Sequence, residues 1–151
     1  MPRIVREAEA TWEGTVARGA GTLTAASSQA FAELPVTLAS RVGAPDGRTS
    51  PEELLAAAHA GCYVTSLGSE LARAGTPPER LDVRCVITMD EVEGKGHQIV
   101  LSEIHARGLV PGADAEGFAR AAEAADEGCP FSALLRAGAA VTISARLEGG
   151  A

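Results

Sequence analysis

Apolar and polar residues alternate most regularly in the middle of the chain, where they predict a β-hairpin. From residue 81 to residue 89 every second side chain is apolar, which is typical of a strand with one buried face. Gly94 and Gly96 then turn the chain, and residues 99–109 return as the antiparallel partner. Shorter extended segments predict three strands near the start, over residues 4–12, 22–26 and 36–40, and a last strand over residues 141–147.

The best-specified element is a long helix in the centre of the sequence. Ser50 is suited to the N-cap, Pro51 to the first helical position and Glu53 to the third, which together form a capping box. Good helix formers continue to Arg73, and because the middle is apolar almost all round we expect a buried helix.

Two shorter helices are predicted before the last strand. Asp114 is a suitable N-cap for a helix over residues 115–127, and a second helix is expected over residues 132–137. The resulting order, βββ-α-ββ-α-α-β, is that of an α+β protein and lacks the βαβαβ alternation of a nucleotide-binding fold.

Composition and charge limit the number of domains, the classes of partner and the location that the chain can have. With 151 residues, of which 46% are hydrophobic, the chain can form one domain with a real core, so we expect a single domain over residues 1–151. The net charge of −7 and the lack of a Lys/Arg cluster exclude nucleic acid and anionic membrane surfaces as partners. A charged start and the absence of an apolar run of about 18 residues predict a cytoplasmic protein.

The three cysteines are the candidates for chemistry. Without a CxxC pair they are too few for a structural disulfide framework. Cys62 lies deep in the predicted helix, whereas Cys129 precedes Pro130, which excludes it from a helix interior and leaves its thiol room to swing. A helix-borne thiol and a turn-borne thiol could convert a sulfenic acid to a disulfide, which favours thiol peroxidase chemistry. Cys85 lies on the same apolar face of its predicted strand as Val83 and Ile87 and is expected to be a small core residue.

Charged residues near Cys62 could assist it. His59 lies three positions earlier on the same helical face, so its imidazole could meet the thiol or could simply be packed. Glu53 is accounted for by capping, which leaves Glu52 free for another role.

Three arginines, Arg18, Arg41 and Arg48, could stabilise a thiolate, because a guanidinium always carries its charge. Arg41 is preferred because it ends an extended apolar segment just before the loop that leads to the cysteine helix.

These residues together resemble the OsmC/Ohr family of osmotically inducible and organic-hydroperoxide-resistance proteins, and the His59 segment resembles the OsmC branch. The resemblance extends over nearly the whole chain. The matching segments are Trp12-Glu13-Gly14, Arg18-Gly19, Gly21-Thr22, Pro51 to Cys62, Val110-Pro111-Gly112, and Gly128-Cys129-Pro130 with Ser132. Gly61, Tyr63 and Val42-Gly43 differ from the usual pattern and bear on substrate preference rather than on the reaction type.

The resemblance implies a fold, a reaction and an assembly. The fold would have antiparallel sheets packed on a long buried central helix, in an intertwined homodimer. Cys62 would attack an organic hydroperoxide and become a sulfenic acid, and Cys129 would condense with it to an intrachain disulfide. Glu52 and an arginine would hold the thiolate, with Arg41 as first choice and Arg18, which aligns with the Ohr-type arginine, as second. No cofactor is implied, since an external dithiol or lipoyl-type reductant would regenerate the thiols.

Glu52 and Cys62 are ten residues apart, which corresponds to about 15 Å along a straight helix, so the two side chains of one chain cannot meet. We therefore expect each cysteine to be served by Glu52 of the second chain in the dimer.

Two alternatives remain open. A metal or ligand-binding module could use Cys62, His59 and Cys129 as soft donors, although no pair has a structural-zinc spacing. A hydrolase or acyltransferase could use Cys62 with His59 as base, although no oxyanion loop is recognisable.

Overall fold

The computed structural model describes residues 2–149, and these residues form an α+β structure, as predicted. The chain divides into two compact units, Met1–Leu54 and Leu55–Ala151. The expectation of a single domain over residues 1–151 stays a prediction.

The elements follow one another in the predicted order with one addition, a short helix after the third strand. The strands and helix of the first unit are β1 (Glu9–Glu13), β2 (Ala20–Thr24), β3 (Leu34–Val36) and α1 (Leu38–Val42). The long helix α2 (Pro51–Arg73) begins in the first unit and continues in the second. The second unit also contains β4 (Arg80–Val92), β5 (Gly96–Leu109), α3 (Ala115–Gly128), α4 (Pro130–Arg136) and β6 (Ala140–Leu147).

The first unit is built on an antiparallel sheet in the order β1-β2-β3. Trp12 on β1 lies opposite Gly21 on β2. A Cβ at Gly21 would come within 2.6 Å of Trp12 Cε3, so the indole can lie on the strand only where no side chain is present.

Three predicted segments of this unit are corrected. The strand predicted over residues 4–12 starts only at Glu9, because residues 2–8 are exposed and outside the ladder. The strand predicted over residues 22–26 occupies Ala20–Thr24. The strand predicted over residues 36–40 ends at Val36, and the chain turns into α1 because Thr37 and Ser40 form a capping box.

In the second unit the predicted hairpin forms the antiparallel pair β4–β5, with Cys85 opposite Ile104. The prediction of antiparallel sheets is wrong for the last strand, because β6 runs parallel to β5. Helices α3 and α4 follow β5 and precede β6 in the chain. This long connection returns the chain to the end of the sheet at which β5 begins, so that β6 runs in the same direction as β5.

Helix α2 is buried along one stripe rather than all round. His59, Tyr63, Leu67 and Leu71, spaced four residues apart, are buried, whereas Ala57, Gly61, Thr65 and Ser69 are exposed. The predicted buried helix is therefore buried along one face in the single chain. The predicted capping box is half formed, because Ser50 Oγ accepts from the Glu53 backbone N–H at 3.1 Å while the Glu53 carboxylate accepts from Thr49.

Helix α3 completes the core. Its N-cap is Asp114, as predicted, and the Asp114 carboxylate accepts from the Gly117 backbone N–H at 2.6 Å. Phe118 on α3 is fully buried and lies against Gly108 of β5, where a Cβ would meet the ring at 2.7 Å. Helix α4 starts at Pro130, two residues before the predicted start, because proline is favoured at the first helical position.

Candidate active site

The structure brings Cys62 and Cys129 together. The two Sγ atoms are 3.2 Å apart, and neither cysteine is in a disulfide. Cys62 is half-buried on α2, and Cys129 lies between α3 and α4 with the extended backbone (φ −84°, ψ 112°) expected before proline. Sequence reasoning expected a thiol with room to swing, whereas Cys129 is 0% exposed.

The surroundings of Cys62 within residues 55–149 favour the neutral thiol. Burial raises the pKa of Cys62, and the neighbouring Cys129 raises it further. Hydrogen bonds from the Phe131 backbone and the Ser66 side chain act in the opposite direction but do not outweigh burial. A thiolate at Cys62 therefore needs a positive charge from elsewhere.

The first unit contains a hydrogen-bonded ion pair. Arg41 at the end of α1 holds Glu52 in a two-pronged ion pair, with Nη2 at 2.6 Å and Nε at 3.0 Å from Oε1. Hydrogen bonding to Glu52 raises the pKa of Arg41. Burial alone would raise the pKa of Glu52, but the hydrogen bond and charge of Arg41 outweigh it and the pKa of Glu52 is lowered. Both groups are therefore charged at neutral pH.

An apolar cavity of about 280 Å³ adjoins this pair. Arg41 contributes to its wall, and the other lining residues are mainly apolar: Trp12, Val16, Val36, Thr37, Leu38 and Pro51. A guanidinium at the edge of an apolar cavity can orient a polar group whose hydrocarbon part lies inside.

The other two arginines have different surroundings. Arg18 is exposed in the turn after β1, where its backbone N–H donates to the Thr15 hydroxyl. Arg48 forms a long ion pair with the exposed Asp46, at 3.6 Å.

His59 is engaged by two serines rather than by Cys62. Its Nδ1 is 2.7 Å from Ser102 Oγ, its Nε2 is 2.8 Å from Ser132 Oγ, and all three residues are fully buried. Burial lowers the pKa of His59, so the ring is neutral and matches the two hydroxyls as one donor and one acceptor. The sulfur in contact with its Nδ1 is that of Cys85, at 3.8 Å.

This arrangement weakens both alternatives that use His59. Both of its ring nitrogens are hydrogen-bonded to hydroxyl groups, so His59 itself is not available as a base for Cys62 or as a metal ligand. Among residues 2–149 there is no cluster of three or more His, Cys, Asp or Glu side chains that could hold a metal ion. The helices in this part of the chain also include none that is long and apolar enough to cross a membrane.

Ser102 was missed by sequence reasoning, and Ser132 was noted only as part of a motif. Ser102 lies on β5 in the same buried phase as Ile104 and Ala106, and a serine in such a phase signals a buried polar partner.

A known protein family and a named relative both match most of this chain. The model of the OsmC-like protein family matches residues 44–144. The chain is also 34% identical over 134 residues to the Peroxiredoxin OsmC of Escherichia coli K12, an alignment that covers 89% of this chain and 92% of the relative. The chain belongs to the OsmC-like family. The range 44–144 that the family model matches includes Glu52, Cys62 and Cys129, whereas Arg41 lies three positions before its first residue.

Solved structures show that the fold is that of OsmC and Ohr proteins. An organic hydroperoxide resistance protein OsmC from Legionella pneumophila superposes with a TM-score of 0.73 at 19% identity, over 95% of this chain and 99% of the other. The organic hydroperoxide resistance protein OhrB of Bacillus subtilis gives a TM-score of 0.70 at 21% identity, over 92% and 97%. The predicted α+β fold of the OsmC/Ohr type and the resemblance to that family are thus confirmed, while the intertwined homodimer stays a prediction.

Proposed function

We propose that this OsmC-like protein is a thiol-dependent peroxidase that reduces organic hydroperoxides to alcohols with Cys62 and Cys129. The observation that carries the proposal is the separation of 3.2 Å between the two sulfurs. A disulfide has an S–S bond of about 2.05 Å, so the pair needs to close by only about an ångström. The names of the relatives, a peroxiredoxin and organic hydroperoxide resistance proteins, support the same chemistry.

The reaction has two steps in the protein. The Cys62 thiol first gives up its proton, and the thiolate attacks the terminal oxygen of ROOH. The O–O bond breaks, Cys62 becomes a sulfenic acid, and the departing alkoxide takes up the released proton and leaves as the alcohol. The Cys129 sulfur then attacks the Cys62 sulfur, the S–O bond breaks, and water leaves as the disulfide forms. An external dithiol, of which a lipoyl group is one type, restores both thiols without a resident cofactor.

Activation of Cys62 is the role proposed for Arg41 and Glu52. Burial disfavours the thiolate, so a guanidinium fixed by a carboxylate would supply the missing charge. Because Glu52 and Cys62 are separated by about 15 Å of the same helix, the pair would come from the second chain of a homodimer. Arg18 remains the second choice for this cation.

We also propose a cytoplasmic location, because three cysteines without a CxxC pair suit a reducing compartment in which a disulfide forms only transiently during the reaction.

The test is rapid-mixing kinetics with tert-butyl, lipid and hydrogen peroxides, followed with a lipoyl dithiol and a monothiol in parallel. Cys62→Ser should abolish both steps. Cys129→Ser should consume one equivalent of peroxide and stop as a sulfenic acid that a dimedone-type reagent traps. Cys85→Ser, which removes a third thiol, is the matched control and should turn over normally.

Wild-type protein treated with one equivalent of organic hydroperoxide should lose two thiols and gain an intrachain Cys62–Cys129 disulfide. A mainly intermolecular disulfide, or loss of the first step in Cys129→Ser, would overturn the proposed roles.

A further inference from the structure

Two side-chain contacts join α2 to the start of α4, and their members are three residues apart on each side. His59 and Cys62 are three residues apart on α2, and Cys129 and Ser132 are three residues apart at the start of α4. Side chains with this spacing lie on one face of a helix, one turn apart. The His59–Ser132 hydrogen bond, at 2.8 Å, therefore lies one turn from the Cys62–Cys129 contact, at 3.2 Å.

Other interactions also hold the segment around Cys129. The Phe131 backbone forms a hydrogen bond with the Cys62 sulfur, and the Tyr63 hydroxyl on α2 donates to the Ala122 carbonyl of α3 at 2.9 Å. The Cys129 backbone N–H donates to the Asp126 carbonyl at 3.3 Å, and Arg136 forms an ion pair with Asp126. Both interactions join α3 to α4 and would move with the two helices. The His59–Ser132 bond is the side-chain hydrogen bond that joins α4 to the helix that carries Cys62 without involving the Cys62 sulfur.

The His59 ring is hydrogen-bonded on both sides. Ser102 on β5 binds Nδ1 at 2.7 Å while Ser132 binds Nε2. The ring and both hydroxyls are 0% exposed, so water does not compete for these bonds. The imidazole thus connects the sheet, α2 and α4 through two hydrogen bonds.

We propose that His59 and Ser132 are positioning residues that hold Cys129 within reach of Cys62 and so set the rate and equilibrium of disulfide formation. The inference rests on the proposed function for its place in turnover. In the dithiol state the His59–Ser132 bond restricts the segment that carries Cys129, and in the disulfide state the covalent bond does so. Loss of the hydrogen bond therefore frees mainly the dithiol state and makes closure less favourable.

The test measures the effective concentration of the Cys62–Cys129 pair in glutathione redox buffers, with the disulfide quantified by mass spectrometry. Ser132→Ala should lower this effective concentration about five- to tenfold, as expected for one hydrogen bond. The lifetime of the Cys62 sulfenic acid before the disulfide forms should lengthen by a similar factor, as followed by trapping at successive times. Ser132→Thr keeps the hydroxyl and should restore most of the wild-type value.

Ser102→Ala is the matched control, because it removes the other hydroxyl of the same histidine, is equally buried, and does not lie on α4. It should lower thermal stability to a similar extent but change the effective concentration by less than about twofold. An unchanged value in Ser132→Ala, or equal losses in both variants, would overturn the proposal.

Two further results keep the outcomes separable. If Ser132→Ala does not fold, His59→Leu removes the same bond from the α2 side, because its side chain has no hydrogen-bonding group, and should give the same loss. The glutathione equilibrium needs no peroxide, so a wild-type protein that does not reduce hydroperoxides would refute the proposed function while leaving the positioning role measurable.

Discussion

Cys85 illustrates how one residue can carry a thiol without redox function. Its sulfur lies 3.3 Å from Ser102 Oγ and packs against the core, and burial raises its pKa. A neutral thiol in such a site is a poor nucleophile. Cys85→Ser should therefore lower the free energy of unfolding by about 1 kcal/mol, measured by urea denaturation, because a hydroxyl is costlier to bury than a thiol. A loss of peroxide turnover in a folded variant would contradict this account.

His59 should make stability depend on pH. Its pKa is lowered in the folded chain by burial, so the unfolded chain binds the proton more readily. Stability present above the ordinary histidine pKa of 6.5 should be lost progressively as the pH falls below that value. The measurement is the free energy of unfolding from pH 7.5 to 5.5.

His59→Gln is the comparison, since an amide does not titrate in this range. It should be less stable at pH 7.5 and should lose less stability on acidification than the wild type. Parallel pH profiles for the two proteins would show that His59 does not cause the effect.

At the residue scale, the sequence was informative where the chemistry is local. The proline at position 130 indicates that Cys129 lies between two helices, as it does. Arg41 and Glu52, which the family resemblance assigns together to the thiolate, form an ion pair. The partners of His59 could not be predicted, because Ser102 and Ser132 lie 43 and 73 positions away and meet it only through tertiary packing.

At the scale of elements, helix α3 and strand β5 approach closely at Gly108. A Cβ there would lie 2.7 Å from Phe118 Cε2 and 3.0 Å from Leu81 Cδ2, both in the core. Gly108→Ala should lower the free energy of unfolding by about 1–3 kcal/mol, since α3 must shift away from β5. Thermal and urea denaturation measure the loss.

Gly128→Ala provides the comparison, because a Cβ at that helical position meets no atom within 4 Å. It should leave stability unchanged or raise it by up to about 1 kcal/mol through helix propensity. Equal effects at the two glycines would mean that α3 does not pack against β5 as described.

Element prediction succeeded where periodicity was strong and failed where one polar side chain decided the backbone. The alternation of β4 and the cap at Asp114 were sufficient to predict those elements. The turn from strand to helix at Thr37 depends on its bonds with Ser40, which compete with an apolar pattern suited to a strand. The parallel direction of β6 depends on how α3 and α4 pack, which strand periodicity does not reveal.

At the scale of the whole molecule, the proposed homodimer predicts complementation between defective chains. Glu52→Ala and Cys62→Ser should each be inactive alone. In a mixed dimer, Cys62 of the first chain would meet an intact Arg41–Glu52 pair from the second, which restores one of two sites. Random refolding of equal amounts should recover about a quarter of wild-type peroxide turnover, because half of the dimers are mixed.

The matched control refolds Glu52→Ala chains together with Arg41→Ala chains. Both changes damage the same pair, so every site in their mixed dimers lacks one member and no activity should return. If the first mixture contains mixed dimers and stays inactive, the site lies within one chain.

The unequal burial of the two sulfurs determines how an oxidised protein would be reduced. Cys129 is 0% exposed, whereas Cys62 is only partly buried. An incoming thiolate attacks whichever sulfur of a disulfide it can reach, and the other sulfur departs as the leaving group. The mixed disulfide with the reductant should therefore form on Cys62, with Cys129 released into the core. The residue that meets the peroxide would thus also be the one that meets the reductant, and both reactants would approach the protein through the same opening.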